Sequence, residues 1–270
     1  MCVIACIESK DNIPSVKMMD KMYQDNPHYS GLAYFDEDKK QIYFKKGMKL
    51  KEIKKLMKQV KGNKSIIQHY RIASVGSSDN KKLNHPFVIG KNVENKLEGY
   101  TSNDVLFHNG TLDLDELKQI AIKIMITNKD AKLPHGELSD TYLLSWILAY
   151  VDYSLLHIWT HNNKFVIMDG KTGKQTRFGS WKKPKDEDKQ LITSNDYFLN
   201  TFSDDLFGLN NFDDFLTDEE DLELQRLKDK YPDLDESKVQ EYLACGSSIY
   251  DLEEIIQIEL EENGVNYDDY

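Results

Sequence analysis

Cys2-Val3-Ile4-Ala5-Cys6-Ile7 is an apolar run of strand length, without the polar alternation of a half-exposed strand. Within it, residues 3–7 read as a short buried strand. If Met1 is removed, as is usual when the next residue is small, Cys2 becomes the N-terminus. One residue then carries a thiol nucleophile and a free α-amine, whose pKa of roughly 8 lets it act as a base near neutral pH. Cys is also the most nucleophilic ordinary side chain, with a few per cent already thiolate at pH 7. The competing reading is a buried strand that merely begins at Cys2. The rest of the chain decides between them.

Working outward, Pro14-Ser15 opens a short helix carrying Met18, Met19 and Met22, which Asn26-Pro27 breaks. Gly31–Phe35 and Gln41–Lys45 read as strands around the polar turn Asp36–Lys40. Leu50, Ile53, Met57 and Val60 recur at helical spacing in a Lys-rich segment, as an ordinary surface helix or a membrane-surface one. Ile66–Ala73 reads as a strand, and residues 77–103 as a long irregular loop of functional character. Val105–His108 is another strand. Asp113 then caps a helix with Leu114, Leu117, Ile120, Ala121 and Ile124 inward. A second apolar helix runs from Ser139 or Asp140 to Tyr150. Strands are expected at Leu155–Thr160, Phe165–Asp169 and near Gln175–Phe178, with turn residues Asp169-Gly170 and Thr172-Gly173. Gly170-Lys171-Thr172 lacks the glycine that a phosphate loop needs five residues earlier, where Phe165 stands. Strands, two consecutive helices and more strands suit a layered α+β class better than a βαβ alternation.

The net charge of −11 is unevenly spread. Residues 1–200 hold 31 Lys and Arg against 24 Asp and Glu, whereas residues 201–270 hold 4 against 22. The split marks an acidic module, argues against a nucleic-acid partner for it and suits a basic protein partner. Residues 201–219 read as an acidic linker with interspersed Phe207, Phe212 and Phe215. Residues 220–270 read as a helical appendage with helices at Leu222–Lys230, Ser237–Ala244 and Tyr250–Glu262, and Ser248 with Asp251 as a capping box. Three cysteines give neither a disulfide framework nor a metal-ligand spacing, and no run approaches bilayer length. The first apolar stretch is short and has no basic segment before it, so no signal peptide is expected. A cytoplasmic protein with reduced thiols and no membrane partner is the expectation.

Four segments bear on Cys2. They are His69-Tyr70-Arg71-Ile72-Ala73-Ser74-Val75-Gly76, Asn84-His85-Pro86-Phe87, Phe107-His108-Asn109-Gly110, and Ser139-Asp140-Thr141 at a helix start. In this order after an N-terminal cysteine they resemble the glutaminase domain of class II glutamine amidotransferases, which are N-terminal nucleophile hydrolases. The resemblance runs from Cys2 to about Ser194, where Ile192-Thr193-Ser194 is similar to one of that domain's late strands. It implies a four-layer α/β/β/α sandwich over residues 2–200, no cofactor, and Cys2 as nucleophile. It also implies Asn109 and Gly110 as the donors of an oxyanion hole, and Arg71, Ser74, His85 and Asp140 around the substrate.

Each of these residue types has a physical job. Hydrolysis of an amide needs a nucleophile, a base and donors for the oxygen that becomes negative. Asn109 offers a side-chain N–H and Gly110 a backbone N–H; losing one such donor raises a barrier by about 3–4 kcal/mol. An Asn-Gly pair ordinarily makes a hairpin turn, but an Asp-capped helix follows here instead of a returning strand. Arg71, one of three arginines in a Lys-rich chain, can hold a carboxylate bidentately. Asp140 can meet an ammonium while also capping its helix.

The chain departs from the family pattern at Val3, where glycine is usual, at Ile72, where an aromatic is frequent, and at Val75, where histidine is frequent. The stretch between the arginine and Asn-Gly segments is also longer. The expected activity is hydrolysis of the glutamine side-chain amide to glutamate and ammonia, with the ammonia free or passed to a separate acceptor subunit. The alternatives are a γ-glutamyl peptide or protein-glutamine substrate, or an inactive binding protein on the same fold.

Overall fold

The computed structural model describes residues 2–9, 12–72, 80–183, 191–199, 226, 227, 230 and 231. The chain divides into two units, Met1–Phe202 and Ser203–Tyr270. In the second unit Arg226, Leu227 and Lys230 are helical, inside the segment expected as its first helix. The linker, the two later helices and the Ser248–Asp251 capping box lie outside the described residues.

The first unit is a mixed α+β structure with two antiparallel sheets. Its strands are β1 (Val3–Ile7), β2 (Ser30–Asp36), β3 (Gln41–Met48), β4 (Ile66–Tyr70), β5 (Phe87–Val88), β6 (Glu98–Thr101), β7 (Val105–Asn109), β8 (Lys164–Met168), β9 (Gln175–Phe178) and β10 (Ile192–Thr193). One sheet has the order β10-β1-β4-β2-β3-β6 and the other β5-β7-β8-β9. The helices are α1 (Val16–Gln24), α2 (Leu50–Val60), α3 (Leu114–Thr127) and α4 (Asp140–Ile147).

Side-chain alternation explains how β1 can be apolar throughout. Val3, Ala5 and Ile7 pack with Met18, Met22, Ile53 and Met57 of α1 and α2. Ile4 and Cys6 point the other way, into a cluster shared with Val105, Phe107, Val166 and Met168 of the second sheet. On that sheet's far face Leu106, Phe165 and Ile167 meet Leu117 and Ala121 of α3 and Leu143 and Ile147 of α4. Helices α1, α3 and α4 are each anchored locally by a side-chain cap. Ser15 Oγ accepts from Met18 N at 3.1 Å, Asp113 Oδ1 from Asp115 N at 2.8 Å, and Ser139 Oγ from Tyr142 N at 3.1 Å. Each such cap contributes about 1 kcal/mol.

Three sequence expectations need correction. Leu155–Thr160 is not a strand but part of a 3-10 helix, Tyr153–Trp159. Asp152 Oδ1 accepts from Ser154 N at 2.8 Å and starts the turn, while Leu156 is drawn into the α3–α4 core. The β-branched and aromatic composition is overridden by a cap and one buried leucine. Residues 77–103 are not simply irregular: a 3-10 turn at Lys81–Leu83 and strands β5 and β6 lie within them. Strand β4 stops at Tyr70, where its pairing with Val3 and Ser30 ends.

Candidate active site

The two sheets bring distant segments to one end of the unit. Cys2 immediately precedes β1, and Arg71 follows β4 beside it, because Val3 pairs with Tyr70. His85 precedes β5, Gly110 follows β7, and Asp140 is the first residue of α4. A cavity of about 310 Å³ is lined by Cys2, Arg71, His85, Gly110 and Asp140, together with Glu137. Five of the seven sequence-derived site residues therefore share one cleft. Asn109 does not line it, and Ser74 lies outside the described residues.

Cys2 precedes β1 without being fully exposed. It is half-buried, and its thiol donates to Ile72 O at 3.6 Å. Burial pushes the thiol pKa up, only partly opposed by the Ile72 contact and by nearby positive charge. The thiol is thus protonated at neutral pH and needs a base to become a nucleophile. Cys6 is deeper, and burial lifts its thiol to about 12, so it is unreactive.

Asn109 is almost wholly buried, and its Nδ2 donates to Ser194 Oγ at 2.8 Å. Its Oδ1 is buried without a hydrogen-bond partner among the described residues. The simple picture of an open side-chain donor is corrected to a donor already sharing one N–H with Ser194. Gly110 has φ of +147°, a conformation that side chains avoid, and a Cβ there would sit 2.0 Å from Asn163 Oδ1. Asn163 Oδ1 is itself 2.9 Å from His108 Nε2, and His108 Nδ1 is 2.9 Å from Thr141 Oγ1. The glycine is required by both backbone and neighbours. Gly110→Ala is expected to destabilise the fold by at least about 2 kcal/mol, read as a lower denaturation midpoint; an unchanged midpoint would refute this packing.

Asp140 is also partly committed. Its Oδ2 accepts from Leu112 N at 3.0 Å, and its Oδ1 accepts from Thr141 N and from Thr141 Oγ1 at 3.1 Å. Ser139, not Asp140, is the N-cap. The carboxylate ties the segment after Gly110 to the start of α4. Glu137 brings a second carboxylate to the cleft and accepts from Asn80 Nδ2 at 2.6 Å.

His69, His85 and His108 are buried beside the cleft, His85 and His108 in its wall and His69 behind them, with ring centroids 4.2 Å apart for His69 and His85 and 6.5 Å apart for His85 and His108. Neither ring nitrogen of His85 has a hydrogen-bond partner among the described residues, and the Asn84 side chain lies close to His69. Burial is the main cause that holds all three below the ordinary imidazole range, with His69 lowered to about 3. They are neutral and cannot act as cationic donors near pH 7. Lys46 Nζ donates to Pro86 O at 3.1 Å and steadies the corner that carries His85. Gly31 permits that corner to approach, since a Cβ would lie 1.8 Å from His85 O. No group of three or more His, Cys, Asp or Glu among the described residues is placed to hold a metal ion. No helix among them is long and apolar enough to cross a membrane.

Sequence reasoning overlooked Glu137, Asn163, Ser194 and Asn195, and gave no role to His69 or His108. His69, His108 and Ser194 lie inside segments that stood out. Glu137 had no signal beyond its nearness to Asp140. Compared with known proteins, the chain matches no family model and no curated sequence.

Proposed function

We propose that the first unit is an amide hydrolase of the N-terminal nucleophile type, acting on the side-chain amide of glutamine. The observation that carries this reading is the convergence of Cys2, Arg71, His85, Gly110 and Asp140, from five separate segments, on one cleft. The packing order of helices, sheet, sheet and helices supports the four-layer α/β/β/α sandwich that such hydrolases use.

The steps follow from the groups. With Met1 removed, the Cys2 α-amine takes the thiol proton, directly or through a water, as sulfur bonds to the amide carbon. The carbonyl oxygen becomes negative beside the Gly110 N–H at the cleft wall, with the second N–H of the buried Asn109 amide reaching it from just behind that wall. The C–N bond breaks, the α-ammonium returns its proton to the departing nitrogen, and ammonia and a γ-glutamyl thioester result. Water, losing a proton to the same amine, attacks the thioester; glutamate leaves and the thiol is reprotonated. Arg71 meets the substrate α-carboxylate, and Asp140 with Glu137 supplies the opposite charge for the α-ammonium. Passage of the ammonia to a separate acceptor subunit belongs to the same reading.

Incubation with the glutamine-mimicking diazo ketone 6-diazo-5-oxo-L-norleucine should add one label, on Cys2, to a protein whose intact mass lacks Met1. Free L-glutamine should slow the labelling and release ammonia on its own. Retained Met1 with no label would overturn the proposal.

A further inference from the structure

We propose that Ser194, with Asn195 beside it, is the clasp that holds the nucleophile strand and the oxyanion donor in register, and that Ser194 is a positioning residue acting through Asn109. The inference rests on the hydrolase reading above. Strand β10 pairs with β1 through Ala5–Thr193 and Cys6–Ile192. At the next step the ladder changes character. Ser194 N still donates to Ile4 O at 2.9 Å, but Ile4 N donates to the Ser194 hydroxyl at 2.9 Å in place of a backbone carbonyl. The same hydroxyl accepts from Asn109 Nδ2 at 2.8 Å. A serine oxygen has two acceptor lone pairs, and both are occupied here.

The geometry has a direct catalytic consequence. Ser194 is fully buried and touches one residue from each sheet: Ile4, two positions after Cys2, and Asn109 at the end of β7. By taking one N–H of the Asn109 amide it fixes the amide plane and leaves the second N–H for another acceptor. Asn195 continues the clasp, its Nδ2 donating to the carbonyl of Cys2 itself at 2.7 Å. Sulfur and oxyanion donor belong to different sheets, so their relative placement depends on side-chain bridges between the sheets. A misplacement of about 1 Å at such a centre lowers turnover by about 10²-fold.

The test compares ammonia release from L-glutamine with alkylation of Cys2 by iodoacetamide, which needs the thiol but no oxyanion donor. Ser194→Ala should lower kcat by about 10- to 100-fold, with KM and the alkylation rate changed by no more than about 3-fold. Asn109→Ala should lower kcat at least as much, and adding Ser194→Ala to it should change little further, because both act on one donor. If Ser194→Ala does not fold, Ser194→Cys, which keeps the side chain but weakens it as an acceptor, takes its place with the same expectation. A parallel fall of alkylation and kcat, or full additivity with Asn109→Ala, would overturn the clasp in favour of a general structural role. Unchanged kcat in a folded Ser194 variant would overturn it outright. A wild-type protein that releases no ammonia from glutamine would instead sink the hydrolase reading, and the catalytic use of the clasp with it.

Discussion

Cys2→Ala is expected to abolish ammonia release from L-glutamine, lowering turnover at least about 10⁴-fold as loss of a covalent nucleophile does, while the protein remains folded. The two halves of this expectation have separate grounds. The chemical half follows from the only thiol lining the cleft among the described residues. Gly110, Arg71, His85 and Asp140 around it include no other group able to form a thioester. The structural half follows from how little the sulfur holds. Its one described hydrogen bond, to Ile72 O, is 3.6 Å long, and the residue precedes β1 instead of forming part of its ladder. Removing one half-buried sulfur destabilises by about 1 kcal/mol. Cys6→Ala is the useful control, because Cys6 lies between the sheets with its thiol raised to about 12 and should not contribute to turnover. Ammonia assays alongside thermal melts separate the outcomes. Full activity in folded Cys2→Ala would remove the nucleophile assignment, and loss of activity in the Cys6 variant alone would move it.

The elements that can be read from the sequence are those whose partners are close along the chain or whose pattern admits one solution. The helix at Leu50–Val60 shows itself through Leu50, Ile53, Met57 and Val60, all buried on one face. Asp113 and Ser139 announce α3 and α4 because capping is a local interaction. Strand β1 is legible because five consecutive apolar residues need cover on both faces, and the two sides duly find α1–α2 and the second sheet.

What escaped is mostly long-range. The contact of Ser194 with Ile4 spans 190 residues and that with Asn109 spans 85, so no periodicity could reveal either. The two-residue β5 is too short to carry a pattern, and Glu98–Thr101 gains strand identity only by pairing with β3. Asp140 illustrates a different difficulty. Its type and place suggested both a cap and an ammonium partner, yet only the folded chain reveals that Leu112 N and Thr141 already occupy much of the carboxylate. Residue type announces what a side chain can do, and tertiary neighbours decide how much of that capacity is left.

The same tertiary neighbours are expected to make the protein acid-labile. Above pH 6.5 His69 is neutral in folded and unfolded chains alike, so it adds no pH dependence. In the unfolded chain it takes a proton near 6.5, whereas in the folded protein burial and the nearby Arg71 hold that step down to about 3. Between those values the unfolded state binds more protons, and stability must fall as pH falls. For His69 alone the loss by pH 3 amounts to about 4–5 kcal/mol. His85 and His108, both lowered by burial as well, act in the same direction. The His69 contribution alone is a large fraction of the stability of an ordinary domain, about 5–15 kcal/mol. Urea midpoints should therefore be level from pH 8 to 7 and then drop steeply from pH 6 to 4. His69→Leu, which removes the ring that is buried deepest, should flatten part of that slope even if it lowers the midpoint at pH 8. A midpoint that stays constant down to pH 4 would mean that the three rings find proton-compatible partners, and the neutral histidine cluster would have to be abandoned.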